Sequence, residues 1–430
     1  MKFIHTSDWH LGQIFNEYDR SDEHMAFLSW FTGVVFEEKP DAVLISGDVF
    51  HNALPSAQSR KMFTDAIVGL KTVCPGMSIV IIAGNHDSGS RLEADRSLWK
   101  LNGVTVVGGL SRSGGTAVFD DHIVEIRSLS GAGPAGYVAA VPYVYRQNYP
   151  QPDGDDTLDS GQGTSGLDSA LMRQKAFYKG LLERIYRKNA DGLPVVLMAH
   201  LAVAGCSMPV FASEGENGVR TDRYDDPLGG MEYVPSDIFP EGYDYLALGH
   251  IHHPQTLGMK PAARYSGSPI PLTFNESYPH SISVVDIRPG EKAQIREVEI
   301  PCMRSVMTIP SKALPFDEAL SVLAGFPEDR EAYVRLNVRI RDFLPGDANV
   351  KAALSVKGKL CRYCGMRVER EIRSCLETGE VISVEEMKSL DPMDLAEIYY
   401  QGKFGAGMPE YLAEMFSEVL SDISDTDRNE

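Results

Sequence analysis

Short apolar runs alternate with amphipathic segments along the first part of the chain. A short extended run occupies residues 2–6, and apolar runs occupy 43–45 and 79–82. The segments that end near residue 36 and span 59–73 carry apolar residues at helical spacing. Uninterrupted apolar runs are typical of strands covered on both faces, and helices between such strands are typical of parallel βαβ units. The pattern therefore predicts an α/β fold.

The alternation continues beyond residue 100. Two short β-like runs, 104–107 and 138–141, either continue the first sheet or begin a second one. Further on, the pattern predicts one helix and then three strands, over 169–187, 195–198, 245–248 and 281–285. The stretches 147–165 and 205–240 are punctuated by glycine and proline, so they are predicted to be loops.

Near residue 301 the pattern changes to that of a smaller α+β region. A predicted helix over 316–323 precedes a strictly alternating strand, which puts Arg335, Arg339 and Arg341 on one face of a half-buried strand. This face is either solvated or available to a negatively charged partner. We expect a main domain over 1–300 and a small α+β domain over 301–376.

The last segment, 377–430, is predicted to be helical. A capping-box pattern occurs at 383–386. An apolar stripe follows at helical spacing, formed by Leu412, Met415, Phe416, Val419, Leu420 and Ile423. The stripe either packs on its own domain or docks on the helices of a partner.

Composition and charge narrow the class of protein. The chain has 430 residues, a formal net charge of -19 and 43% hydrophobic residues, which is typical of a globular protein without an extended phosphate-binding surface. Charge is nevertheless segregated, because residues 330–373 hold 11 lysines and arginines against 5 acidic residues, whereas residues 374–430 hold 3 against 14. A local basic surface is therefore compatible with the acidic total.

The N-terminal run and the cysteines predict a cytoplasmic protein with no membrane association. Asp8 interrupts the first apolar run too early for a signal peptide, and no apolar stretch approaches the roughly 20 residues that a membrane span needs. Six scattered cysteines favour reduced thiols over disulfides. Cys361 and Cys364 have the spacing of half a zinc site, but no histidine follows His280 to complete one.

The candidate catalytic and metal-binding residues are concentrated in five short polar segments, each just past a predicted strand. Open α/β sheets build their sites at the carboxyl ends of strands, so these residues are expected to converge. The ligand-type side chains among them are Asp8, His10, Asp48, Asn85, His200, His250 and His252. A single histidine is more often a surface or packing residue than a ligand; the combination of five strand ends is what indicates a metal site.

Two carboxylates, one amide and several imidazoles are the ligand set of a two-metal site. We expect Asp8, His10 and His252 around one ion and Asn85, His200 and His250 around the other, with Asp48 as the bridging carboxylate. This nitrogen-rich set suits Mn²⁺, Fe²⁺ or Zn²⁺ better than Mg²⁺. Such a pair of ions, about 3.5 Å apart, activates a water for attack on a phosphate ester.

His86 is not needed for coordination, although it lies next to Asn85 in the sequence. It is therefore the candidate general acid that helps the leaving oxygen, with Asp87 expected to orient its ring.

The five polar segments resemble the sequence signature of the calcineurin-like metallophosphoesterases. Further matches resemble the SbcD-type DNA nuclease subunits, namely 5–12 (HTSDWHLG), 47–50 (GDVF), 248–252 (LGHIH) and 267–271 (GSPIP). The second resemblance extends into the 382–386 segment, so it covers nearly the whole chain.

This resemblance implies a four-layer β-sandwich flanked by helices, with two Mn²⁺ ions as the preferred cofactor. It implies 3′→5′ exonuclease and endonuclease activity on DNA ends and hairpins, in DNA repair, recombination and replication. The resemblance also implies that the small domain is a capping domain that shapes DNA access. The last segment is expected to bind an SbcC-type ATPase. A homodimer within a heterotetramer is implied, and His51 would lie near the substrate.

Two other functions compete with this one. A phosphoesterase for small substrates, such as cyclic nucleotides, would share the core but would need no capping domain. A nonenzymatic scaffold would be expected to lose metal ligands, and here none is lost. Because the chain has no phosphate-binding loop of the Gly-x-x-x-x-Gly-Lys-Ser/Thr type, any dependence on ATP must come from a partner.

Overall fold

The computed structural model describes residues 1–131, 133–150, 166–207, 233–340, 344–370, 392–404, 407–409, 412–413 and 415–416. Most of the two predicted loops, Arg341, the capping box and the greater part of the apolar stripe lie outside these residues. Within this part of the chain, no helix combines the length and the apolar character needed to cross a membrane.

The first 131 residues form strands β1 (Lys2–Thr6), β2 (Ile14–Phe15) and β3 (Tyr18–Asp19), helix α1 (Ser21–Glu38), β4 (Ala42–Ser46), α2 (Ala57–Val73), β5 (Ser78–Ile82), α3 (Gly89–Leu92), α4 (Arg96–Leu101), β6 (Val104–Val107), β7 (Arg112–Ser113), β8 (Thr116–Ala117) and β9 (Ile123–Arg127). Residues up to 299 add β10 (Pro134–Ala140), α5 (Gly166–Lys188), β11 (Val195–His200), β12 (Ala202–Val203), β13 (Tyr233–Val234), β14 (Tyr245–Gly249), β15 (Gln255–Leu257), β16 (Ala262–Tyr265), β17 (Ser281–Asp286) and β18 (Gln294–Glu299). Beyond them lie β19 (Ser305–Leu314), α6 (Phe316–Ala324), β20 (Ala332–Ile340), α7 (Ala348–Ser355), β21 (Arg362–Arg370) and α8 (Pro392–Phe404). Short 3₁₀ turns lie at Phe119–His122, Arg146–Asn148 and Ser236–Ile238.

Two six-stranded sheets form the core. The first has the order β18-β17-β1-β4-β5-β6 and the second the order β15-β16-β14-β11-β10-β9. In the first sheet β1, β4, β5 and β6 run parallel, and in the second β10, β11, β14 and β16 run parallel. Antiparallel strands lie on the outer side of both sets. The predicted α/β class is thus confirmed, and the runs 104–107 and 138–141 belong to different sheets.

The two sheets pack face to face between layers of helix. Along β4, Ala42 and Leu44 point into the apolar cluster between the sheets. Val43 and Ile45 point the other way, into the cluster beneath α1 and α2. On the second sheet the outer face packs against α5, through residues such as Leu181. Strands covered on both faces explain the uninterrupted apolar runs, and the order of helices, sheet, sheet and helix agrees with the expected four layers.

The small region beyond residue 300 contains a three-stranded sheet, β19-β20-β21, with β19 and β20 parallel. Its β20 corrects the prediction of a half-buried strand with an arginine face. Residues 332–338 are all buried, because β20 is the middle strand and is covered on both sides. Arg335 lies over the ring of Phe274, 4.6 Å from the ring centroid, and its Nε donates to Thr308 Oγ1 at 3.3 Å. Only Arg339 on this face is exposed within the described residues.

Contacts divide the chain into two compact units. One contains Met1–Val338 and Leu344–Glu369, and the other contains Arg339–Phe343 and Arg370–Glu430. In the second unit, helix α8 pairs the rings of Tyr400 and Phe404, with centroids 4.6 Å apart. The predicted division at residues 300 and 376 stays a prediction.

A buried ion pair joins the start of α1 to the small sheet. Arg20 donates to both carboxylate oxygens of Glu23, from Nε at 3.0 Å and from Nη2 at 2.7 Å, and neither side chain is more than 1% exposed. The hydroxyl of Tyr333 on β20 donates to Glu23 Oε1 at 2.6 Å. Arg362 on β21 in turn donates to the Tyr333 hydroxyl at 2.9 Å. Since buried charges are tolerated only when they are paired, these contacts attach the small sheet firmly.

Replacing Glu23 with glutamine is expected to destabilise the protein by about 3–5 kcal/mol, because it leaves the Arg20 guanidinium buried without a counter-charge. The free energy of unfolding is measured by urea denaturation. Asp65→Asn is the control, since it breaks an exposed pair with Lys61, which is 75% exposed, and should cost less than about 1 kcal/mol. Equal stability of the two variants would contradict the assigned role of the buried pair.

Candidate metal centre

The predicted ligands converge where the two sheets meet. Strands β1, β4 and β5 are parallel, as are β11 and β14, so their carboxyl ends lie at one edge of each sheet. Contacts join the two edges: the backbone amide of His250, after β14, donates to Asp8 Oδ1 at 3.0 Å. The residues brought together are Asp8, His10, Asp48, Asn85, His200, His250 and His252.

The backbone turns sharply at several of these residues. Asp8, His10, Asp48 and His250 have φ values of 53°, 45°, 49° and 95°, a region that non-glycine residues rarely adopt. The turns are held by hydrogen bonds from the Asp8 amide to the Gly47 carbonyl and from the His10 amide to the Asp48 carbonyl, both at 3.0 Å. Strain of this kind persists where the surroundings enforce it, and it is concentrated at functional sites.

Two glycines permit the close approach of the loops. A Cβ on Gly84 would lie 2.1 Å from Asp48 Oδ1, and a Cβ on Gly249 would lie 1.9 Å from the Ser46 carbonyl oxygen. Both contacts are far below the van der Waals limit. A residue larger than glycine at Gly84 or Gly249 would therefore collide with the neighbouring loop that carries a ligand.

Asp48 lies at the centre of the cluster. Its Oδ2 is 3.6 Å from His10 Nε2 on one side and 3.4 Å from His200 Nε2 on the other. Its Oδ1 accepts a hydrogen bond from the backbone amide of His86 at 2.8 Å. A carboxylate oxygen between two imidazoles is the arrangement that a bridging ligand needs, and the bridging role itself stays a prediction.

One set of ligand atoms surrounds Asn85. Its Oδ1 lies 3.0 Å from His200 Nε2 and 2.9 Å from His250 Nδ1. His200 Nδ1 donates to the Ser46 carbonyl at 2.8 Å, which turns Nε2 toward the cluster. Burial disfavours the charged form of His200, but the adjacent Asp48 carboxylate outweighs burial and raises its pKa to about 9. The Asp48 carboxylate therefore favours positive charge at this set of ligands.

The other set lies around Asp8 and His10. One ligand atom from each of Asp8, His10 and His252 fits within 4.8 Å of the others. His10 Nε2 is buried and has no hydrogen-bond partner, and burial holds the pKa of His10 well below its ordinary value. An uncharged imidazole with an unpaired buried nitrogen fits a metal ion. Asp8 also groups with Asp48 and His200, so both carboxylates lie within reach of the second set.

His51 and His86 form a third group with His10, whose ligand atoms also lie within 4.8 Å of one another. The rings of His51 and His86 are stacked at 5.7 Å, and His86 Nδ1 donates to the His51 carbonyl at 2.9 Å. Asp87 differs from the expected arrangement. Its carboxylate accepts hydrogen bonds from the amides of Val49, Phe50 and Gly84, at 3.1, 3.0 and 2.9 Å. Asp87 thus holds the loops together, while the His51 carbonyl orients His86.

Two neighbours of the site were missed by sequence reasoning. The ring of Tyr143 is stacked beside His250, with centroids 6.3 Å apart. Glu276 Oε1 lies 3.9 Å from His252 Nδ1. Tyr143 follows the end of β10, a parallel strand, so extending the strand-end rule to every predicted strand would have found it; no sequence signal marks Glu276. Cys361 and Cys364 are absent from the candidate metal groups of the described residues.

The chain is similar to several known proteins. The calcineurin-like phosphoesterase family matches residues 1–254. The chain is 33% identical over 327 residues to the SbcD subunit of nuclease SbcCD from Rhodobacter capsulatus, covering 75% of each chain. It is 27% identical over 404 residues to the Escherichia coli K12 protein of the same name, covering 90% of this chain and 91% of that one. The Bacillus subtilis counterpart is 26% identical over 430 residues, covering 99% and 100%.

The central place of Asp48 predicts a graded loss of metal. Wild-type protein loaded with Mn²⁺ and then desalted should retain about two ions per chain. Asp48→Ala should lose both, because its carboxylate faces both ligand sets, whereas His250→Ala should lose about one. Metal content is measured by inductively coupled plasma mass spectrometry, with the exposed Asp65→Asn as the matched control. Retention of both ions by Asp48→Ala would show that this carboxylate does not bridge.

Proposed function

Because the chain belongs to the calcineurin-like phosphoesterases, we propose that it is a divalent-metal nuclease of the SbcD type. It hydrolyses phosphodiester bonds of DNA and acts with an SbcC-type ATPase in DNA repair and recombination. The observation that carries this proposal is the pair of ligand sets on either side of Asp48. It is supported by the relatives named for nuclease SbcCD, whose matches cover from 75% to 99% of this chain.

The metal sites would use the predicted ligands. Asp8, His10 and His252 would hold one cation and Asn85, His200 and His250 the other, with Asp48 shared. Mn²⁺ is the proposed metal, because imidazole-rich sets favour it over Mg²⁺. When bound, two such cations neutralise charge on a phosphodiester and make water a nucleophile near neutral pH.

His86 is proposed to protonate the leaving oxygen. Its Nδ1 donates to the His51 carbonyl, which can only accept, so the ring presents Nε2 to a substrate. The stacked His51 ring limits rotation, and His51 Nδ1 lies 3.4 Å from His10 Nδ1, beside the metal ligands. Asp87 keeps this loop in place through its three backbone hydrogen bonds. His51 is proposed to contact the substrate from the same side.

The remaining parts of the proposal concern partners. We assign DNA access to the small domain, 301–376, and attachment of the ATPase to 377–430. A homodimer within a heterotetramer, located in the cytoplasm, completes the proposal. The buried Arg335 does not contribute to a basic DNA surface, so Arg339 is the better candidate within the described part of β20.

The general-acid role of His86 predicts a dependence on the leaving group. His86→Ala should lower kcat on DNA about 10²–10⁴-fold, because the leaving alkoxide needs a proton. Hydrolysis of bis(p-nitrophenyl) phosphate should fall much less, since nitrophenolate leaves without one. Metal content, measured in parallel, should remain that of the wild type. Equal losses on both substrates would overturn the role of His86.

The proposed activity predicts that purified protein degrades linear DNA with Mn²⁺ and much more slowly with Mg²⁺, and that Asp48→Ala is inactive. The assay uses blunt, hairpin and protein-blocked DNA labelled at either end, with and without the ATPase partner, so that polarity and partner dependence are read together. Rapid hydrolysis of cyclic nucleotides with no cleavage of DNA would instead establish the small-substrate phosphoesterase.

A further inference from the structure

Two tyrosines extend outward from the metal centre. Tyr143 and Tyr145 follow strand β10, and their rings contact each other edge to face, with centroids 5.3 Å apart. We propose that this tyrosine pair is a stacking platform for an unpaired nucleobase next to the scissile phosphate. The inference rests on the proposed nuclease function and adds a substrate class to it, namely DNA with unpaired terminal nucleotides.

Tyr143 is the residue of the pair that contacts the metal ligands. Its ring lies 6.3 Å from that of His250, inclined by 30°, and 6.2 Å from that of His200, inclined by 84°. Its backbone amide donates to the Ala83 carbonyl at 2.8 Å, directly before the loop that carries Asn85. The inner ring of the pair is therefore fixed against the second ligand set.

Tyr145 is the outer ring and is 60% exposed. The exposed ring can cover the apolar face of a ligand while its hydroxyl stays in water. Bases along a strand repeat every ~3.4 Å. The ring of Tyr145 contacts that of Tyr143, which in turn contacts the ring of His250. Tyr145 therefore lies within the length of a few nucleotides from a phosphate bound at the metals.

The segment that carries Tyr145 is anchored by two arginines. The guanidinium of Arg146 donates from Nη2 to the Tyr233 carbonyl at 2.6 Å, and that of Arg112 donates to the Asn148 carbonyl. These contacts fix the turn at Arg146–Asn148, so little ordering is needed when a ligand binds. They also place two positive charges at the turn that follows Tyr145, which favours a ligand with a phosphate backbone.

An unpaired base is the ligand that this chemistry recognises. Every nucleobase has a flat π face, so stacking on tyrosine needs no particular sequence. In a duplex both faces of an internal base are already covered by its neighbours. At a blunt end the terminal base has one free face but is held in its base pair, whereas an unpaired terminal base can turn onto the ring. The platform should therefore favour frayed or single-stranded ends over blunt ends.

The first test measures binding with metal-free protein, where no cleavage occurs. Oligonucleotides carry 2-aminopurine, whose fluorescence is quenched by stacking, at the 3′ or the 5′ terminus. Wild type and Tyr145→Phe should quench one of these probes, whereas Tyr145→Ala should bind it about 5- to 100-fold more weakly and without quenching. Tyr186→Ala on α5, where the tyrosine is 53% exposed, is the matched control and should behave as wild type.

The second test removes the base instead of the ring. With Mn²⁺ present, an abasic terminal nucleotide should raise the KM of wild type by about the factor that Tyr145→Ala causes on normal DNA. Combining both changes should cost no more than either alone. If Tyr145→Ala matches wild type in quenching and KM while wild type cleaves DNA, the platform is wrong. Failure of wild type to cleave any DNA would instead overturn the nuclease proposal.

Discussion

The structure depends on the burial of two carboxylates at one point. Asp8 and Asp48 are at most 1% exposed and lie within the same cluster of ligand atoms. Burial raises the pKa of the Asp8 carboxyl. It would also raise the pKa of Asp48, but the adjacent His200 outweighs it and holds that pKa well below its usual range. The adjacent His200 thus favours the charged form of Asp48, whereas burial disfavours the charged form of Asp8. Divalent cations bound here would stabilise both carboxylates in their charged forms, as expected of a metal enzyme.

The fold makes this burial possible by bringing loops from two sheets to one edge. Parallel strands deliver Asp8, Asp48 and Asn85 from one sheet and His200 and His250 from the other. These elements were predictable, because strands buried on both faces leave uninterrupted apolar runs and a parallel sheet builds its site at the carboxyl ends. The partners of individual polar groups were not. The sequence places Asp87 beside His86, but the three backbone amides that donate to Asp87 come from turns that only the folded chain brings together.

The alternation of residues along the middle strand of the small sheet did not predict what its side chains contact. Alternation correctly predicted the strand that carries Arg335, but it could not reveal that this arginine packs against the ring of Phe274. The same interface reaches the metal centre through Arg20. Besides Glu23, Arg20 donates to Gln13 Oε1 at 3.0 Å, and the backbone N–H of Gln13 donates to the His10 carbonyl at 3.0 Å. The attachment of the small sheet and the position of a metal-site loop therefore share one buried network, so a change at either is expected to be felt at the other.

The sharing of Asp48 by two cations can be tested directly. The most direct measurement is anomalous X-ray scattering from crystals of the wild-type protein grown with Mn²⁺. We predict two anomalous peaks about 3.5–4 Å apart, one on each side of the Asp48 carboxylate. A single peak, or a peak centred on His10, His51 and His86 with none beside Asn85, would contradict the sharing of Asp48 by two cations.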